Sequence, residues 1–121
     1  MLNQKNLAYL ENLMIDQTLI AVTKYVGDEE INELVNSEIK DLGENRVKKF
    51  LDKYEKHQDK AINWHFIGHL QSKKVKKMIN KIAFLHSLDR MSLADEIEKR
   101  REKPLPCFLE VNIANDPINM V

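Results

Sequence analysis

Five short apolar runs, separated by segments of helical periodicity, most constrain what this chain can fold into. The runs occupy residues 18 to 23, 39 to 42, 62 to 67, 82 to 86 and 107 to 113, the second being the weakest. They read as strands buried on both faces, which is the pattern of a parallel sheet covered by helices. A leading amphipathic helix over residues 3 to 15 carries Leu7, Leu10, Leu13 and Met14 at helical spacing. The next helix follows Asp28, a suitable N-cap, and places Ile31, Leu34 and Val35 on one face. Val47, Phe50, Leu51 and Tyr54 form a second stripe, and Val75, Met78, Ile79 and Ile82 a third. Ser92-Leu93-Ala94-Asp95 resembles a capping box and opens a helix that buries Ala94 and Ile97. The order is helix, then strand-helix four times, then a fifth strand, which is the grammar of an α/β protein with a parallel sheet.

The chain has 121 residues, 43% hydrophobic and 31% charged, enough for one modest core and one domain. Nineteen basic residues balance nineteen acidic ones, so overall charge gives no reason to expect a nucleic-acid or anionic-membrane partner. No stretch approaches the ~18 apolar residues of a membrane span, and the first residues lack an apolar signal core. The single cysteine, Cys107, excludes an intrachain disulfide and is expected to be a buried, inert thiol. A cytoplasmic location is expected.

Lys24 closes the first apolar run immediately before a Tyr-Val-Gly-Asp turn. A lysine at the end of a buried strand loses hydration, which disfavours the ammonium and leaves an amine able to attack an aldehyde. The bland alternative is a strand-end lysine that extends its charge to solvent. The three glycines, Gly27, Gly43 and Gly68, are each expected just after one of the first three strands, at the end of the sheet where α/β proteins place their sites. The other polar groups gather there too: Gly43-Glu44-Asn45, the block from His65 to Ser72, His86-Ser87-Leu88-Asp89 and Glu110-Val111-Asn112. Asn45, Ser72 and Asp89 have the alternative reading of helix caps. His65 and His69 have the spacing of a helical metal pair, but Ile67-Gly68 between them ends a strand, so no metal is expected. Lys73, Lys74, Lys76, Lys77 and Lys81 read as a solvated helix face, with no aromatic platform for single-stranded nucleic acid. No glycine-rich phosphate loop is present.

Taken together, Ala21-Val22-Thr23-Lys24, Leu42-Gly43-Glu44-Asn45-Arg46-Val47, the run from Trp64 to Lys74, His86-Ser87-Leu88-Asp89-Arg90 and Val111-Asn112-Ile113-Ala114 resemble the pyridoxal phosphate homeostasis family (YggS/PROSC). The resemblance covers residues 7 to about 117. It implies a TIM-type (β/α)8 barrel like the barrel domain of bacterial alanine racemase, with about five of its eight strands present in this chain. It implies pyridoxal 5′-phosphate as cofactor, held as a Schiff base on Lys24, with Asn45, His65, Ser87 and Asn112 facing or near it. Family members generally lack an established catalytic reaction and are thought to buffer or deliver the cofactor. The family pattern has Asn-Lys where this chain has Lys73-Lys74, and Lys-x-Gly where it has Asn119-Met120-Val121. Its serine- and glycine-rich phosphate grip has no counterpart here, so weak cofactor binding by a fragment of the barrel is expected. An alanine-racemase-like amino-acid racemase, or a half-barrel with no cofactor role that pairs with another chain, are the alternatives. With strands at 18 to 23 and 107 to 113 as open edges, and Ile20, Val22, Phe66 and Val111 expected on an uncovered inner face, self-association is expected as well.

Overall fold

A computed structural model describes residues 3–14 and 17–111, so Asn112 and the end of the fifth apolar run lie outside the described residues. Five strands alternate with helices: α1 (Gln4–Leu13), β1 (Ala21–Val22), α2 (Asp28–Asn36), β2 (Asp41–Glu44), α3 (Val47–Lys56), β3 (Asn63–Phe66), α4 (Val75–Met78), β4 (Phe84–Leu88), α5 (Met91–Arg100) and β5 (Cys107–Leu109). A 3-10 turn, Ser72–Lys74, leads into α4. All four strand pairings are parallel and the sheet order is sequential, β1-β2-β3-β4-β5. Right-handed crossovers between sequential parallel strands put every connecting helix on one face, as in a barrel wall rather than a doubly wound sheet. The sheet is open, with β1 and β5 as its edges among the described residues.

Register separates the two faces. Leu42 pairs with Trp64, and Glu44 with Phe66, which in turn pairs with Leu85. These five are all buried and pack beneath Ile31, Phe50, Met78 and Leu93 of the helical layer. Burying each such apolar side chain stabilises the fold by about 1.5–3 kcal/mol. The alternate residues, Val22, Gly43, His65 and Phe84, share the opposite face. There Val22 stays 50% exposed and Phe108 of β5 56%, so this face lacks the wall that would close it.

Several sequence expectations shift. Phe66 belongs to the helix-covered face and is wholly buried, because strand alternation puts it opposite to His65. Gly43 lies within β2, not after it, where a Cβ would stand 3.2 Å from Ile20 Cγ2. The N-cap of α2 is Gly27, not Asp28, with the Glu30 carboxylate accepting the Gly27 N–H at 3.1 Å. Helix α5 begins a residue before Ser92, with Arg90 as N-cap and no side-chain cap. Asn45, Ser72 and Asp89 are not caps, since those positions fall to Arg46, Gln71 and Arg90. Cys107 is half-buried, its thiol donating to the Leu105 carbonyl at 3.4 Å, and burial pushes its pKa up. Among the described residues no helix is long and apolar enough to cross a membrane.

Candidate functional site

The C-terminal ends of β1 and β2 meet in a pocket of about 110 Å3 lined by Lys24, Tyr25, Glu44, Asn45, Arg46 and Lys49. Lys24 and Asn45, chosen from sequence on different strands, are thereby brought together. Lys24 is exposed, its Nζ 5.2 Å from the Tyr25 ring centroid. The expected loss of hydration therefore does not occur in this chain. Its β1 strand is two residues long and an edge, and Lys24 projects from the turn beyond it. Two further cations, Arg46 and Lys49, line the same pocket with Asn45.

Beneath the pocket lies a buried ionic cluster. Glu44 is fully buried, and its Oε2 meets Lys53 Nζ at 2.7 Å and Thr23 Oγ1 at 3.1 Å. Its Oε1 accepts the Asn45 N–H at 3.2 Å. Lys53 Nζ also donates to the Thr23 carbonyl. An ion pair this deeply desolvated is costly to break, about 3–5 kcal/mol when one partner is removed, because the other is left uncompensated. Sequence reasoning missed Lys53. The signal was its place three residues after Phe50 and four before His57, on the buried stripe of α3.

Gly68 fixes the next strand end. A Cβ there would stand 2.1 Å from the Asn45 carbonyl oxygen, so only glycine allows the β3 turn to lie against the β2 end. Ser87 is buried on the helix-covered side and donates to the Gly68 carbonyl at 2.5 Å. It therefore ties β4 to that turn without lining the pocket. Asp89 and Arg90 form an ion pair at 2.7 Å, and Arg90 also donates to the Leu70 carbonyl.

His65 lies on the open face, apart from the pocket. Its Nε2 donates to Asp41 Oδ1 and its Nδ1 meets His86 Nε2, both at 2.9 Å. Its ring stacks on Phe84 with centroids 5.6 Å apart, and Phe108 in turn packs on Phe84 and His86. Burial first, and the His65 charge second, hold the His86 pKa below its ordinary value. Asp41 and His86 are two more polar residues that sequence reasoning left unassigned. His69 is exposed and only 3.8 Å from Asp89, so it shares nothing with His65. Among the described residues no group of three or more His, Cys, Asp or Glu side chains converges on a metal site.

A larger hollow, about 330 Å3, opens at the other end of the strands and is lined by Lys60, Lys81 and Lys103 among others. Lys60 is paired with Asp59 at 3.3 Å, and Lys81 lies over the Tyr54 ring at 5.5 Å. The C-termini of α3 and α4 lie at this end, where cations offset the helix dipoles, and in β/α barrels this end serves stability rather than chemistry.

The fold and the pocket define a parallel β/α barrel-type protein with an exposed lysine among cations at the C-terminal end of its first strand. No protein-family model matches the chain. It is 46% identical over 101 residues to the pyridoxal phosphate homeostasis protein of Aquifex aeolicus, a match covering 81% of this chain and 44% of the relative. The protein of that name from Synechocystis is 36% identical over 88 residues, covering 70% and 39% respectively. PipY of Synechococcus elongatus PCC7942, solved without PLP, superimposes with a TM-score of 0.82 at 30% identity over 93% of this chain and 55% of PipY. PipY with PLP bound gives 0.73 at 29% identity over 78% and 46%. The chain belongs to the pyridoxal phosphate homeostasis family and spans about 44% of the length of curated relatives such as that of Aquifex.

Proposed function

We propose that this chain is a single domain forming the N-terminal part of a pyridoxal-phosphate-binding barrel, and that it serves intracellular homeostasis of that cofactor in the cytoplasm. Lys24 is the attachment point. Its amine would hold the cofactor covalently at the aldehyde carbon, with one water lost. The donor set suits such a ligand: an amine within reach, the Asn45 amide beside it, and Arg46 and Lys49 to attract a dianionic phosphate. The pocket's volume suits only part of the ligand, and full enclosure calls for the strands that the longer relatives possess. When bound, the cofactor supplies an aldehyde that amines capture reversibly. The chain's own residues orient Lys24 and draw the anion. His65 supports the inner wall and Ser87 the strand-end geometry, and Asn112 completes the set proposed from sequence.

The observation that carries this reading is the convergence of Lys24 and Asn45 in one pocket with Arg46 and Lys49, at the C-terminal ends of β1 and β2. Borohydride trapping of added pyridoxal phosphate, followed by peptide mapping, tests it. Label is expected at Lys24 in preference to the exposed Lys73, Lys76 and Lys77, with micromolar or weaker affinity for the 121-residue chain. Label spread evenly over those lysines overturns the assignment. The uncovered sheet face supports a further part of the reading, that this chain associates with itself.

A further inference from the structure

Lys24 stands where backbone pairing has run out. The β1–β2 ladder registers only Ala21 with Leu42 and Val22 with Gly43, and the Thr23 N–H to Gly43 carbonyl bond, 2.9 Å, is the last backbone link before the turn. No strand lies on the other side of β1 among the described residues. A two-residue edge strand fixes its following residue poorly, because few backbone bonds oppose fraying. Yet Thr23 is wholly buried; its carbonyl accepts the Val26 N–H at 3.2 Å across the turn, and its remaining restraints come from side chains.

Those restraints converge from α3 and β2. Lys53 Nζ donates to the carbonyl of Thr23, the peptide unit that leads directly into Lys24. The same ammonium pairs with Glu44 Oε2 at 2.7 Å. The Thr23 hydroxyl, 3.1 Å from Glu44 Oε2 and 3.2 Å from the Gly43 carbonyl, has one proton to give to one of these two acceptors. Glu44 Oε1 takes the Asn45 N–H on the other wall of the pocket. One buried ion pair therefore grips both backbone segments that carry the pocket's predicted side chains.

We infer that Lys53 and Glu44 act as a positioning pair, holding the Thr23–Lys24 peptide and the Asn45 amide so that the Lys24 amine and the Asn45 side chain face one ligand. The inference rests on the proposed attachment at Lys24. Neither residue touches the ligand. A pair of this kind selects a geometry more than it adds stability, since desolvation cancels much of its Coulombic gain. Lys53 and Lys24 are thus two lysines of opposite use, one buried and committed to the protein, the other exposed and available.

The test compares the wild-type chain with Lys53→Met/Glu44→Gln, in which both charges are removed together and no buried charge is left alone, and with Lys53→Arg, which keeps the cation. Two measurements are made on each: hydrogen exchange without cofactor at the Thr23 and Val26 amides, which bond the Gly43 and Thr23 carbonyls on either side of Lys24, and the share of borohydride-trapped pyridoxal phosphate found on Lys24. The double variant is expected to exchange about ten times faster at those amides and to lose about tenfold in Lys24 labelling relative to the surface lysines. Lys53→Arg is expected to recover most of both. Unchanged exchange and unchanged labelling in a folded double variant overturn the inference. Absence of Lys24 preference in the wild-type chain instead removes the proposed function, while the exchange measurement still decides whether the pair positions this segment. Should the double variant not fold, Thr23→Val decides by the same exchange measurement, since it deletes only the hydroxyl arm: about threefold faster exchange at the residue 23 and Val26 amides supports the inference, and none overturns it.

Discussion

The two faces of the sheet are built by opposite rules. On the helix-covered face Leu42, Trp64, Phe66 and Leu85 are buried by this chain's own helices, and the charged residue among them, Glu44, is answered by Lys53. On the open face the polar residues bond to one another, Asp41 to His65 to His86, while Val22 and Phe108 remain half or more exposed. The first face completes itself. The second is internally satisfied in its hydrogen bonds but not in its apolar area, which is what a barrel interior looks like when one part of its wall is viewed alone.

Truncating one aromatic on each face tests that contrast most strongly. Phe66→Ala should cost about 3–5 kcal/mol, because it opens a cavity in a packed core, and urea denaturation reads this as a lower midpoint at unchanged slope. Phe108→Ala should cost about 1 kcal/mol, the worth of its ring contacts with Phe84 and His86. Equal losses would mean that the open face is covered in solution. Sedimentation at low micromolar concentration then shows whether a second copy of the chain covers it; a sharply unfolding monomer would require the face to close in another way.

The same contrast explains what could be foreseen from sequence. The order of elements along the chain, the parallel sheet and the core stripes were legible because apolar periodicity follows directly from burial. That Lys24 and Asn45 lie near each other was legible because both were expected at strand ends. Lys53 was not, since a lysine amid Lys48, Lys49 and Lys56 reads as solvated until a buried carboxylate opposite it is known. The desolvation of Lys24 was misjudged for a related reason. The apolar run ending at Thr23 suggested a full strand, but only two of its residues pair, so the lysine emerges into solvent at an edge. Phe66 went to the wrong face although Asn63 and His65 alternate with Trp64 and Phe66, because reading the strand as buried on both sides gives that alternation no weight. The Asp41–His65–His86 chain depends on three different strands, and local sequence carries no trace of it.

Acid separates the faces a second way. His86 holds its proton less readily in the folded chain than the ordinary imidazole at 6.5, through burial and the neighbouring His65. Below about pH 6.5 the unfolded chain therefore binds a proton that the folded chain refuses, so stability falls as pH drops through that window. His86→Gln, which retains a hydrogen-bonding partner for His65, should flatten this arm of a stability-against-pH curve. On the helical side Asp28 is held below the usual carboxylate value of 3.8, chiefly by its hydrogen bond from His57. A depressed carboxylate contributes above its unfolded pKa and is lost only as pH falls further, so Asp28→Asn should alter the curve below about 4 and leave the His86 arm intact. Loss of both arms in either variant would show that the faces titrate as one unit.

The smallest expected effect concerns the helical side, which is not optimised throughout. Helix α2 ends in a Schellman arrangement: the Ile39 N–H bonds the Leu34 carbonyl and the Glu38 N–H the Val35 carbonyl, each at 3.0 Å, and Leu34 and Ile39 are both buried. The residue at the left-handed position is Glu38, with φ 65°, where glycine would carry no Cβ penalty. Its carboxylate also faces the negative end of the helix dipole. Glu38→Gly should therefore raise stability by about 0.5 kcal/mol, the relief of strain exceeding the added freedom of the unfolded chain. Glu38→Ala separates the two causes, since alanine removes the charge but keeps the Cβ. If alanine gains as much as glycine, measured by thermal unfolding of both variants, the dipole accounts for the effect and the left-handed backbone at this position is unstrained.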